Sequence, residues 1–169
     1  MSEILDSGAR REFSSGAVRD VAEGKGRCDL LPLKEVAKLL ADSEGTPDLV
    51  LQEIGCYVED GNTQHLVEAI KLFCKYVAHW DVSTCILEVS KHYEEGALKY
   101  SERNWEKGID LHCFIDSGVR HYLKNNRDDK DESHDRAFVW NMLGAIWSHD
   151  HRLDCHDLPF ATKNLMSAD

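Results

Sequence analysis

Two stretches of this chain set carboxylates where a divalent cation and a polyphosphate could be handled together. One is EEGALKYSERNWEKG, from Glu94 to Gly108, and the other is DESHD, from Asp131 to Asp135. Glu132 and Asp135 stand three residues apart, which on a helix points both carboxylates the same way. E-x-x-D on an inward face supplies two oxygen ligands to a hard cation. Glu94 and Glu95 fall near the C-terminal end of a long helical pattern, where acids oppose the helix dipole and so do nothing for helix stability. Two such helices facing each other make a Mg²⁺ site, and a Mg²⁺ site beside Lys and Arg is a place for a polyphosphate. The competing expectation is two solvated acidic faces. Acids are favoured in a first turn, Lys99 stands four residues after Glu95 as in a simple salt bridge, and Glu88 lies seven before Glu95 and could share its face.

Other residue types fit the same chemistry, each with a plainer alternative. Asn104, Trp105 and Lys107 follow the long helix; the indole can stack on a base or cap the core. Arg120 and His121 sit mid-helix beside Val119 and Tyr122 and can meet phosphate, pair with acids across a bundle, or form a surface salt bridge. GAVRDVAEGKGRCDLLP carries Arg19, Lys25 and Arg27 among glycines, which suits phosphate contact and equally suits a solvated tail anchored by Leu30 and Leu31. His134 and Asn141, two turns apart, form a polar stripe on a helix rich in Trp and Phe, marking either a buried ligand site or a hydrogen-bonded core network. His149, His151, Cys155 and His156 match no closed zinc pattern. No G-x-S-x-G, Walker loop or post-strand G-x-G-x-x-G occurs. An H…HD…D metal site could be imitated by His121 or His92 with His134-Asp135 and Asp150 or Asp154, a degenerate pattern in a chain with nine histidines.

The elements that must position these residues read as helices. The 169 residues suffice for one sizeable core and not for two comfortable domains. Only 3 prolines interrupt the chain, so long helices are permitted. Leu33, Val36, Ala37 and Leu40 have helical spacing; Asp48 caps a second helix through Val50, Leu51, Ile54 and Val58. A third is expected over Thr63 to His79, a fourth from Asp81 to Tyr100, a fifth over Leu111 to Asn126 and a sixth over Glu132 to Ser148. NWEKG and NNRDDKD read as loop and turn. No segment alternates like a half-buried strand. The expectation is an all-α bundle over residues 33–150, preceded by an irregular arm over 1–32 and followed by an irregular tail over 151–169.

With 31 acidic and 20 basic residues the formal charge is −11, which opposes broad binding to nucleic acid or an anionic membrane. It does not oppose a nucleotide held through a cation, whose charge dominates locally. The six cysteines have wide, irregular spacing without C-x-x-C, and the N-terminus MSEILDSGARREFSSG is no signal peptide, so a reduced cytoplasmic setting is expected. No apolar run reaches membrane-spanning length.

Taken together, GAVRDVAEGKGRCDLLP, EVSKHYEEGALKYSERNWEKG, FIDSGVRHYLK and DESHDRAFVWNMLGAIW resemble, in that order, a phage-associated family of dATP/dGTP diphosphohydrolases grouped with the MazG-like all-α pyrophosphohydrolases. The resemblance runs from about Gly8 to Trp147. It implies a MazG-like bundle, usually completed as a homodimer or higher oligomer, that holds Mg²⁺, or Mn²⁺ in its place, through acids on two helices. It implies release of a nucleoside monophosphate and diphosphate from a purine deoxynucleoside triphosphate. Glu132 and Asp135 match the family's E-x-x-D, and Glu94 and Glu95 its first acid pair. The first motif is altered, since Leu98 and Lys99 stand where a further acid is expected. Lys99, Arg120 and either Lys25 or Arg27 are then the expected phosphate cations, with Asn104, Trp105, Lys107, His121 and Asn141 as further substrate contacts. Members of the family are linked to phages that replace adenine with 2-aminoadenine, where the reaction would remove dATP and convert dGTP to dGMP. A non-catalytic helical module that binds a nucleotide or a protein through its acidic face is the alternative from another class.

Overall fold

The computed structural model describes residues 8–166. It is all-α apart from one short hairpin. The helices are α1 (Leu33–Leu39), α2 (Leu49–Asp60), α3 (Gln64–Phe73), α4 (Val82–Lys99), α5 (Leu111–Asn126), α6 (His134–His151) and α7 (Pro159–Met166). Their ends follow local chemistry. The Asp48 carboxylate accepts from the Leu51 N–H at 2.9 Å to cap α2, and Asp81 accepts from Thr84 N–H at 2.8 Å to cap α4. The third helix widens into one turn of π-helix, Cys74–Ala78, and stops at His79 with φ 54°.

Helix α6 is central. It packs against α3, α4 and α5, and its buried residues lie on nearly every side, from His134 and Phe138 to Gly144 and Ser148. Its partnership with α5 is the most extensive in the molecule. The core, built on Tyr57, Phe73, Phe114, Phe138, Leu51, Ile54 and Met142, runs between these helices. All six cysteines are free, with Cys74, Cys85 and Cys155 buried as small apolar side chains.

Four expectations are corrected. The arm is not wholly irregular: β1 (Arg10–Glu12) and β2 (Val18–Asp20) pair antiparallel, with Arg11 opposite Arg19. Three-residue strands are too short to show alternation. The tail is not irregular either: a 3-10 turn at Leu153–Cys155 leads into α7, whose Phe160 is buried with Leu158 against the bundle. The NWEKG loop is likewise a 3-10 turn, Asn104–Lys107. The sixth helix begins at His134, so Glu132 precedes it.

Helices α5 and α6 approach closely because each presents a glycine to the other. A Cβ on Gly144 would lie 2.4–2.9 Å from three atoms of the Phe114 ring, whereas one on Gly118 would meet the flexible Met142 Cε at 2.4 Å. Gly144→Ala should therefore cost about 1–3 kcal/mol through overpacking against a rigid ring. Gly118→Ala should cost less, since Met142 can swing and alanine favours the helix by about 1 kcal/mol. Urea denaturation of both variants checks this; equal losses would contradict it.

Candidate active site

The hairpin, the end of α4, the Asn104 turn, α5 and α6 enclose a cavity of about 670 Å³. That volume suits a small-molecule ligand. The roof is tied down by side chains. Asn104 donates its amide N–H to the Val18 carbonyl at 2.8 Å and accepts from the Val18 N–H at 2.9 Å, so one buried amide stands in for a third strand. Asp20 accepts from Lys99 Nζ at 2.7 Å and from the Tyr100 hydroxyl at 2.9 Å. Ser15 donates to the Gly108 carbonyl at 2.6 Å.

Inside, the charge reverses that of the whole protein. Arg11, Arg19, Lys25, Arg27, Arg103, Arg120 and Lys124 line the cavity against only Asp20, Glu94, Glu102, Asp116 and Glu132. Two of these acids are committed: Asp20 to Lys99, and Asp116 to both the Arg120 guanidinium at 2.5 Å and the Cys28 N–H at 2.6 Å. Arg19 lies over the faces of Phe114 and Trp140, 5.2 and 5.5 Å from the ring centroids, and donates to Asn141 Oδ1 at 2.9 Å. Burial pulls its pKa down. Arg19 Nη1, Arg120 Nε and His92 Nδ1 are buried with no hydrogen-bond partner, three of the four such side-chain atoms among the described residues. Buried polar groups are seldom left so, and all three belong to residues lining one cavity.

At the far end His121, Glu132 and His134 meet. The two Nδ1 atoms are 2.9 Å apart, and Glu132 Oε1 lies 3.6 Å from His121 and 3.7 Å from His134. Burial raises the Glu132 carboxyl and, with the neighbouring His134, holds His121 well below the usual imidazole range. Burial likewise pulls His92 down to about 4. An aromatic wall completes the cavity, with Tyr93, Trp105 and Trp140 in tilted and edge contacts.

The sequence-derived residues divide. Lys25, Arg27, Glu94, Asn104, Trp105, Arg120, His121, Glu132 and Asn141 line the cavity. Lys99, Lys107, Glu95 and Asp135 do not. Lys99 is spent on Asp20, and Lys107 is exposed beside Ser101. Arg27 lines the cavity but its guanidinium is engaged by Asp29 at 2.5 and 2.7 Å. Asn104 acts on the hairpin, and Asn141 on Arg19 and the Ala137 carbonyl at 2.8 Å. The E-x-x-D pair does not share a helix face: with α6 starting at His134, Asp135 accepts from the adjacent Arg136 N–H and its charge acts on Cys85, away from the cavity. Glu88 is held by Lys91 and Arg136. Glu94, Glu95, Glu132 and Asp135 form no compact carboxylate cluster among the described residues. The tail histidines are structural: His149 bonds Tyr57, His156 the His149 carbonyl and His151 the Trp147 carbonyl.

Asp116 and Lys124 were not among the expected site residues; Arg19 was read only as one of three cations suited to phosphate contact, and His92 only as part of an imitated H…HD…D site. His92 was legible as the continuation of the stripe Cys85, Val89, His92, and Asp116–Arg120 as an i, i+4 pair. Arg19 was marked only by its place on the Gly-rich stretch; its pairing was not legible, since its partner Asn141 is 122 residues away.

The fold is all-α and its cavity is of small-molecule size; the class, a hydrolase of nucleoside triphosphates, comes from the family match. The family model for dATP/dGTP diphosphohydrolase, N-terminal, matches residues 62–157, and the chain belongs to that family. This sets aside the non-catalytic module. No curated protein and no solved structure matches the chain. No helix among the described residues is long and apolar enough to cross a membrane.

One edge of the cavity depends on pH. Asp157 accepts from the His112 N–H at 3.0 Å at the start of α5 and also binds the His112 ring, pushing its pKa up to about 10. Because the folded value lies above the ordinary 6.5, the charged pair contributes fully below pH 6.5 and is lost as pH rises through about 10. The stability gap between wild type and Asp157→Asn in urea should shrink from pH 6 to above pH 10; a constant gap would contradict the pairing.

Proposed function

We propose that this cavity hydrolyses the purine deoxynucleoside triphosphates dATP and dGTP to monophosphate and diphosphate. The observation that carries the reading is a cavity with excess positive charge lined by Arg19, Arg120 and His92, each of which keeps a buried nitrogen (Nη1, Nε and Nδ1) without a hydrogen-bond partner. A triphosphate supplies the acceptors that the two guanidinium groups lack. In-line displacement at phosphorus needs positioning and charge neutralisation more than covalent help. Arg19, Arg120 and Lys25 would hold the phosphates and neutralise the departing diphosphate. Tyr93, Trp105 and Trp140 offer the purine an aromatic wall.

The attacking water belongs at the opposite end, where the Glu132 carboxylate and the two imidazoles can polarise and orient it. Mg²⁺, with Mn²⁺ able to replace it, enters on the triphosphate as part of the substrate; Glu94 and Glu102 at the cavity edge form no ion pair among the described residues and can face it. A cytoplasmic setting supplies this substrate. The family resemblance supports a role in phage nucleotide-pool remodelling, removing dATP and yielding dGMP for 2-aminoadenine DNA. Exposed Val82, Ile86, Leu87 and Leu98 on α4 support self-association.

With dGTP and Mg²⁺, phosphorus NMR should show dGMP and diphosphate; orthophosphate or intact triphosphate as product would overturn the reading. Glu132→Gln should lower kcat by roughly 10²–10⁴. Asp135→Asn should stay within a few-fold of wild type, and an equal loss there would restore the E-x-x-D pair to the site.

A further inference from the structure

The cluster at the water end of the cavity has the dimensions of a metal site. Three donor atoms separated by 2.9, 3.6 and 3.7 Å share a point about 2.0 Å from each, which is the ordinary zinc–imidazole and zinc–carboxylate distance. We propose that His121 Nδ1, His134 Nδ1 and Glu132 Oε1 hold one first-row transition ion, with its remaining positions open to the cavity.

The surroundings favour this over a plain hydrogen-bonded pair. His134 is oriented from behind: its Nε2 lies 2.6 Å from Asp131 Oδ1, and Asp131 also accepts from Lys124 Nζ at 2.8 Å. A carboxylate on the outer nitrogen fixes the tautomer that leaves Nδ1 bare, the usual arrangement behind a ligating imidazole. The side chains are shielded, His134 being 1% exposed and Glu132 14%. A second observation points to a ligand in the same cavity: His92, 9% exposed, lines it with a buried Nδ1 that bonds nothing. Without metal, the two facing Nδ1 atoms share one proton; binding moves that proton to His121 Nε2 or to solvent, so charge and protons balance.

Donor type sets the ion. Two imidazoles and one carboxylate suit Zn²⁺, Co²⁺ or Mn²⁺, whereas Mg²⁺ demands oxygen donors in near-ideal octahedral geometry. The other compact groups carry less. In Asp110, His112 and Cys113 the imidazole is already bound by Asp157. Asp129, Asp131 and His134 lie on the outer side of His134, where Lys124 occupies Asp131 and Arg127 occupies Asp129.

The role of this ion in turnover rests on the proposed function, but its binding does not, so the test uses metal alone and no nucleotide. Chelator-stripped full-length protein titrated with Co²⁺ should develop intense visible absorption that saturates at one ion per chain and is displaced by Zn²⁺. His121→Asn and Glu132→Gln, checked for native helix content by circular dichroism, should each weaken binding at least tenfold; Glu95→Ala and Asp135→Asn should not. Absence of the absorption in wild type, or its persistence in folded His121→Asn and Glu132→Gln, would overturn the site. Diphosphate release from dGTP by a protein that binds no Co²⁺ would overturn the ion and leave the proposed function standing.

Discussion

The structure depends on the close approach of α5 and α6. Gly144 faces the Phe114 ring and Gly118 faces Met142, so the helices pack at a separation that ordinary side chains would prevent. Most deep features of the cavity ride on that pair. Asp116, Arg120 and His121 come from α5; His134, Trp140 and Asn141 come from α6. The contact between the two imidazoles crosses the interface, and Arg19 lies over Phe114 from one helix and Trp140 from the other. A shift of one helix would break the imidazole pair and the guanidinium platform together.

Charge is distributed against the protein's overall balance. The chain carries −11, yet its cavity collects more cations than carboxylates. Two of those carboxylates hold architecture in place: Asp20 clasps the hairpin to Lys99 and Tyr100, and Asp116 orients Arg120. Arg19 has only an amide and two aromatic faces. Burying a cation without a carboxylate is unfavourable, and leaving its N–H groups unmatched adds to the cost. A polyanion entering the cavity relieves both, which makes the same feature that weakens the empty fold a source of affinity.

The helices were legible because periodicity and caps are local. Asp48 and Asp81 cap where their spacing to the apolar stripes says they should, and α5 has the expected limits. The hairpin was not legible, since it is held by Asn104, Lys99 and Tyr100 from outside it and not by a pattern within its six strand residues. The tail helix contributes too few apolar residues for a pattern, and Phe160 acquires meaning only against Tyr57 and His149. In the site, residue type pointed to Arg120, His121, Glu132 and Trp105, which the fold does bring to the cavity. The inference from E-x-x-D failed at a single step. Spacing implies a shared face only within a helix, and the helix begins two residues after Glu132, so Asp135 turns away. Beside Glu132 the fold sets His134, visible in the sequence as a polar residue on a buried stripe and not as a partner for Glu132.

The central claim is that the buried, unmatched guanidinium of Arg19 exists to receive phosphate. Calorimetric titration with a non-hydrolysable dGTP analogue and Mg²⁺, comparing wild type with Arg19→Met, measures this directly. A hydrogen bond to a charged group contributes about 1.5–3 kcal/mol, so the variant should bind roughly 10- to 100-fold more weakly, with unchanged or greater resistance to urea. Equal affinity in a folded Arg19→Met protein would contradict the account.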